Sequence, residues 1–213
     1  MNENPYKSPD TVETAKRSTG TAAHTVGQEL KWIILFVAVI WGVFLLDCIV
    51  PGKFTSYGLV PRTPSGAVGI VSMPFLHASW SHLLGNTVPL FVLLALLAGS
   101  KARSWEIVVD IILVGGVLLW IFGRHAMHVG ASGLIFGLVA FLIASGLLER
   151  RIIPLIVSVI VGFLYGSALI SGVLPWTGCD VSWDGHLCGA VAGVLIAWLL
   201  TRGPKTKKEL AVG

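Results

Sequence analysis

Gly130-Ala131-Ser132-Gly133 opens an uncharged run, Leu134 to Leu148 (LIFGLVAFLIASGLL), that stops at Glu149-Arg150-Arg151. Leu, Ile, Val, Ala and Phe fill it, so it reads as a helix in lipid. From Ser132 to Leu148 such a helix is about 25 Å long, against a hydrocarbon core of about 30 Å. If the charged turn marks one membrane surface, Ser132 lies below the other, and the chain before it must dip inward. Non-helical backbone at that depth survives only when it is buried in protein or lines a watery cavity. A serine in this setting is a helix cap, a packing residue or a nucleophile, and the tetrapeptide alone leaves all three open.

Five further apolar runs flank it. They cover Trp32 to Val50, about His82 to Ala98, Trp105 to Gly123, Ile152 to about Val173 and about Gly185 to Thr201. The composition agrees: of 213 residues, 54% are hydrophobic and 12% charged, and the mean hydropathy of +0.82 exceeds that of a soluble domain. The expected fold is an all-α polytopic membrane protein with six transmembrane helices. Residues 1–30 form a polar tail expected to be disordered, 31–201 the six-helix domain, and 202–213 a basic tail. The first apolar run is long enough to span and has no small-residue cleavage site after it, so it is not a signal peptide. Pro89 is expected to kink the second span, and Ser79 or Ser81 to cap it.

Six spans put both termini on one side. Twelve of the fifteen Lys/Arg residues fall there, and only Lys53, Arg62 and Arg124 on the other. That asymmetry assigns the termini to the cytoplasm; the expected location is a bacterial cytoplasmic membrane. It also gathers three connections on the outer side: the long loop Pro51 to Ser79, the loop before Ser132 and the loop before His186. The long loop mixes Gly and Pro with Phe54, Tyr57, Val60, Val68, Ile70, Met73 and Phe75. It is expected to lie in the membrane interface, with Tyr57 and Trp80 as anchors. The net charge of +4 sits in short flanks and not on one face, which excludes nucleic acid as the partner. Cys48, Cys179 and Cys188 have no metal spacing; free thiols or a Cys48–Cys179 bridge fit.

Small residues set the expected helix contact. Gly133 and Gly137 are four apart on one helix, and Gly185, Gly189 and Gly193 repeat the spacing on another. Faces of this kind let helices approach closely in lipid. Pairing them from the outer ends brings Ser132 beside His186. Acyl transfer needs a nucleophile, a base and donors for a developing oxyanion. Ser132 and His186 supply the first two as a dyad, since no carboxylate is placed to orient His186 and Asp184 lies in the preceding loop. Phe136, one turn beyond Ser132, is expected to stack on the imidazole. His82 and Asn86 are i,i+4 and share one face of the second span, where they either line the oxyanion hole with the Ser132 amide or hold the bundle together. His77 is expected to be structural, and His125 and His128 ordinary interfacial residues or, second, residues that shape their loop. No H-E-x-x-H motif or paired carboxylate supports zinc, and no cofactor is expected.

These pieces resemble the rhomboid family of intramembrane serine proteases. They are His77-Ala78-Ser79-Trp80-Ser81-His82-Leu83-Leu84-Gly85-Asn86, then Gly130-Ala131-Ser132-Gly133, then Gly185-His186-Leu187-Cys188-Gly189 with Gly193. They keep the family's order, and they fall on the second, fourth and sixth spans. The resemblance implies Ser132 as nucleophile, His186 as base, and His82, Asn86, Gly130 and Phe136 around the oxyanion and substrate. It implies substrates that are transmembrane segments of other proteins, cut near their outer ends, often beside small residues. Two departures stand out. The long loop has Gly58-Leu59-Val60-Pro61-Arg62 where some bacterial members carry a Trp-Arg pair, and Phe136 stands where Tyr is frequent. The alternatives are a non-catalytic membrane protein that escorts single-span partners through the same groove, and a small proton-coupled transporter built on Asp47, Asp110 and His82. Against the transporter stands the lack of an inverted repeat. The fifth span and the loop Leu174 to Trp183 are candidates for substrate entry. Oligomeric state is not legible.

Overall fold

The computed structural model describes residues 10–101, 103–175 and 182–202, with side chains from Gly27 onward. Seven α-helices carry these residues: α1 (Asp10–Ile49), the single turn α2 (Gly69–Ser72), α3 (Trp80–Ser100), α4 (Ser104–Phe122), α5 (Ser132–Glu149), α6 (Ile152–Gly172) and α7 (Trp183–Arg202). Six of them, with α1 counted from Gly27, are long and apolar enough to cross a bilayer. The protein is therefore an integral multi-pass membrane protein, as the hydropathy pattern predicts, and each expected span falls within a few residues of an observed helix. Helix α1 starts just past Pro9, so the backbone of the polar segment continues the path of the first span.

Helix α5 is the centre. In its spanning segment 61% of the residues are buried, against 11% in α6. It packs on α3, α4, α6 and α7, and Phe141, Leu138 and Leu142 are almost wholly enclosed. Lipid tails are as apolar as leucine, so burial alone does not hold such helices together; close packing does. The α5/α7 seam is packed through glycine. A Cβ added at Gly189 would lie 2.0 Å from the Gly133 carbonyl oxygen, and one at Gly193 would lie 2.1 Å from that of Gly137. The expected small-residue faces meet here, backbone against backbone.

At the end of the bundle where α5 and α7 begin, residues 50–79 form a folded unit. It holds three 3₁₀ turns and α2, of which α2 packs against α4 and the turn Met73–Phe75 against α1 and α5, and a Cβ at Gly69 would strike the Leu59 backbone at 2.2 Å. Leu59 exchanges both backbone hydrogen bonds with His128 (2.9 and 2.8 Å), which ties this unit to the connection before α5. Arg62, in a left-handed conformation (φ 58°), donates through Nη1 to the carbonyls of Ile121 (3.1 Å) and Gly123 (2.8 Å). Those are last-turn carbonyls that α4 itself leaves open, and a cation there also opposes the helix dipole. Tyr57 and Trp80 are exposed, and Trp80 packs edge-on against Phe44 of α1. Ser79 is the residue that caps α3, accepting from the His82 amide at 3.2 Å, and Pro89 sits inside that helix without ending it. Cys48 is an exposed free thiol; Cys179, its suggested partner, lies outside the described residues.

Candidate active site

Ser132 is the first helical residue of α5, and the N-cap is Ala131. Its hydroxyl is therefore not the capping atom, which removes the simplest alternative reading of this serine. Gly130, two residues earlier, has φ 108°, a conformation that strains any side-chain-bearing residue. It also has no room for one, since a Cβ would lie 2.4 Å from His82 Nε2 and 3.4 Å from Asn86 Nδ2. Gly130 is thus the point where the face of α3 carrying His82 and Asn86 meets the entry to α5. The Gly130 amide donates to the Met73 carbonyl at 2.9 Å, fixing this turn against the 50–79 unit.

On the other side of Ser132 stands α7. A Cβ on Gly133 would approach the Gly185 carbonyl oxygen at 3.4 Å, so the residues beside Ser132 and His186 touch. The Phe136 ring stacks on the His186 imidazole, with centroids 4.0 Å apart and planes 6° from parallel, as its place one turn after Ser132 predicts. His186 is buried, and its Nδ1 lies 2.9 Å from the carbonyl oxygen of Gly172 at the end of α6.

Asn86 and His77 form a second layer. Asn86 Nδ2 is 3.0 Å from His77 Nε2, and His77 is 2% exposed. The amide expected at an oxyanion thus already has a partner within the bundle. The His77 and His82 rings lie 5.0 Å apart. Burial, with His82 alongside, pushes the His77 pKa down to about 4 despite the opposing pull of the Phe75 carbonyl, so His77 is neutral at pH 7. His77 is structural, as expected, and it bears directly on Asn86.

His128 takes the second of its two expected roles: it is not interfacial but buried and shapes its loop, with Nδ1 2.7 Å from Ser182 Oγ and Nε2 3.2 Å from the Arg124 carbonyl. It belongs to a lock around Asp184. The Asp184 carboxylate accepts from the Arg124 amide (2.8 Å) and from Arg124 Nη2 (3.1 Å), and His128 Nε2 stands 3.7 Å away. The lock joins the connection before Ser132 to the turn that starts α7. Asp184 thus faces Arg124 and His128. Among the described residues no group of His, Cys, Asp and Glu is arranged to hold a metal ion.

The glycine seam, the stacked histidine and the His82/Asn86 face coincide with a family-level match. Residues 64–203 match the model of the Rhomboid domain. The chain belongs to the rhomboid family. Across 210 residues it is 38% identical to an uncharacterized protein of Mycobacterium tuberculosis, covering 94% of this chain and 84% of that one. It is 27% identical over 153 residues to Rhomboid-like protein 11, chloroplastic, of Arabidopsis thaliana (65% and 54% of the two chains). With Rhomboid-related protein 1 of Caenorhabditis elegans the identity is 28% over 164 residues (72% and 46%).

Proposed function

We propose that this rhomboid is an intramembrane serine endopeptidase acting through Ser132 and His186. The observation that carries the reading is the α5/α7 seam: Gly133 against Gly185, and Phe136 stacked on His186, hold the two helix starts in register. In the proposed reaction Ser132 Oγ attacks the carbonyl carbon of the scissile bond while His186 Nε2 takes its proton. The imidazolium returns that proton to the leaving amine, and an acyl-enzyme forms. Water then attacks the ester, with His186 again as base, and the carboxylic acid product leaves. The Ser132 amide lies in the first turn of α5, where helical amides have no intrahelical acceptor, and it faces the oxyanion together with His82. Asn86 takes part by holding that face in place, and by its second amide hydrogen. No cofactor enters the reaction.

The proposed substrates are transmembrane segments of other proteins, cut near the end of the bundle where α5 and α7 begin. That end is assigned to the outer side, with both termini in the cytoplasm, on the strength of the Lys/Arg asymmetry, and the mycobacterial relatives favour a bacterial cytoplasmic membrane. The test compares wild type, Ser132→Ala and His186→Ala with a fluorophosphonate probe, and with a single-span substrate in liposomes. Labelling and cleavage are expected in wild type only. Cleavage by Ser132→Ala at the wild-type rate would overturn the reading, and binding without cleavage by wild type would replace it with an escort function.

A further inference from the structure

We infer that the backbone carbonyl of Gly172, the last residue of α6, orients the His186 base, so that the dyad is competent only while this end of α6 stays docked. The inference rests on the reading of His186 as general base and goes beyond it to how that base is controlled.

A carbonyl oxygen can only accept, so at 2.9 Å from Gly172 the Nδ1 of His186 must carry the hydrogen. A neutral imidazole has a single N–H, which leaves the lone pair on Nε2, the atom a serine hydroxyl needs. The contact therefore selects the catalytic tautomer, the task a carboxylate performs in a triad. Asp184 is not available for it, since Arg124 and His128 surround its carboxylate. Phe136 fixes the plane of the ring, and the Gly172 carbonyl fixes its rotation within that plane. Both contacts require glycine here: a Cβ at position 172 would lie 2.3 Å from Phe136 Cζ and 3.3 Å from His186 Nδ1.

The helix that supplies this carbonyl is the least enclosed of the six spans. Its buried residues, Pro154, Ser158 and Val161, all lie in its first half, where Ser158 Oγ donates to the Ile143 carbonyl (3.0 Å). Towards the site, Phe163 is 87% exposed and Ile170 66%, while Tyr165 and Leu169 are partly buried against the core. Helix α6 is thus anchored at the end away from His186 and lightly held at the end that grips it. Any displacement of that end removes the acceptor from Nδ1–H and frees the ring to change tautomer.

The experiment reads the tautomer without turnover. Protein labelled with ¹⁵N-histidine is placed in lipid nanodiscs at pH 8, and the His186 signals are assigned by their loss in His186→Ala. Wild type should show Nδ1 protonated and Nε2 bare. Gly172→Ala and Leu169→Ala should both lower the Nδ1–H fraction, and Gly172→Ala should slow fluorophosphonate labelling about a hundredfold, the low end of what a misplaced general base costs. An Nε2–H tautomer in wild type overturns the inference, a result that needs no variant to fold. So does a Gly172→Ala protein that keeps both the wild-type tautomer and the wild-type labelling rate. Wild type that shows Nδ1–H but never labels would support the orienting contact and overturn the protease reading.

Discussion

Helices α5/α7 and helix α6 carry the same sequence signal and use it differently. Gly189 and Gly193 are four residues apart, and so are Gly162 and Gly166. At the first pair an added Cβ would collide with carbonyl oxygens at 2.0 and 2.1 Å; at the second it would meet nothing within 4 Å. One spacing is a seam where two helix backbones touch, and the other is a stretch of a peripheral helix where none comes close. The difference lies in what stands opposite. Helix α7 meets another glycine face on α5, whereas at Gly162 and Gly166 of α6, both half-buried beside Tyr165 and Leu169, no backbone comes close enough for a Cβ to touch. Small-residue spacing licenses close approach but does not choose a partner.

The sharpest way to break this comparison is Gly189→Ala. The methyl has no flexible side chain to displace, only the Gly133 backbone beside Ser132. Overpacking of a tight core costs about 1–3 kcal/mol even when side chains can move, and here the helices must separate. Loss of folded protein in detergent, or folded protein with no fluorophosphonate labelling, is expected. Wild-type labelling by a folded Gly189→Ala would mean that the seam does not set the register of Ser132 and His186.

A smaller loss is expected from the lock that closes the same seam at its site end. Asp184→Ala removes the carboxylate that accepts from the Arg124 amide and guanidinium, and the Arg124 side chain is 40% exposed, so water compensates in part. The expected destabilisation is about 2 kcal/mol, in the range of a hydrogen bond to a charged group. Thermal unfolding followed by tryptophan fluorescence measures it, and an unchanged midpoint would show that the lock contributes nothing to holding α7. Asp184→Asn retains an acceptor and should recover part of the loss.

Acid should separate the two regions in another way. With its pKa held near 4 in the fold and near the ordinary 6.5 in the unfolded chain, His77 binds more protons when unfolded throughout that window. Stability is therefore complete above about pH 6.5 and is lost as pH falls toward 4. Lowering the pH from 7.5 to 5 should depress the unfolding midpoint of wild type more than that of His77→Gln, which cannot titrate. Equal shifts in the two proteins would assign the acid sensitivity elsewhere. The α5/α7 glycines carry no ionisable group and give no such dependence of their own.

The parts of this architecture legible in the sequence are those written in residue type. Hydropathy marks all six spans, and Gly130, Ser132, His186, His82 and Asn86 stand out because glycine, serine, histidine and asparagine are conspicuous in apolar runs. What escapes notice is written in backbone or over distance. The Gly172 carbonyl that meets His186 Nδ1 is an atom every residue has, and the glycine the site requires there reads in the sequence only as an ordinary helix stop. Arg124 and Asp184 are sixty residues apart, and each reads singly as a loop charge until the fold joins them. His128 looks interfacial for the same reason, since its burial depends on the pairing of its backbone with Leu59. Arg62 counts in the sequence only as a lone cation, yet it closes the end of α4.

The smallest effect sought is the most discriminating control. Gly166→Ala introduces the same methyl as Gly189→Ala, at the same repeat spacing, at a point where the Cβ would find nothing within 4 Å. Alanine is the better helix former by about 1 kcal/mol in water, and in lipid the added methyl displaces only acyl chain. The unfolding midpoint should therefore stay level or rise slightly, and labelling by a small fluorophosphonate should be unchanged. Cleavage of a single-span substrate is the separate readout. If it too is unchanged, the open face of α6 is plain lipid-facing surface. If it falls while small-probe labelling holds, a transmembrane partner packs against Gly166 on its way to the site, and the spacing that looked idle is a seam waiting for a helix from another chain.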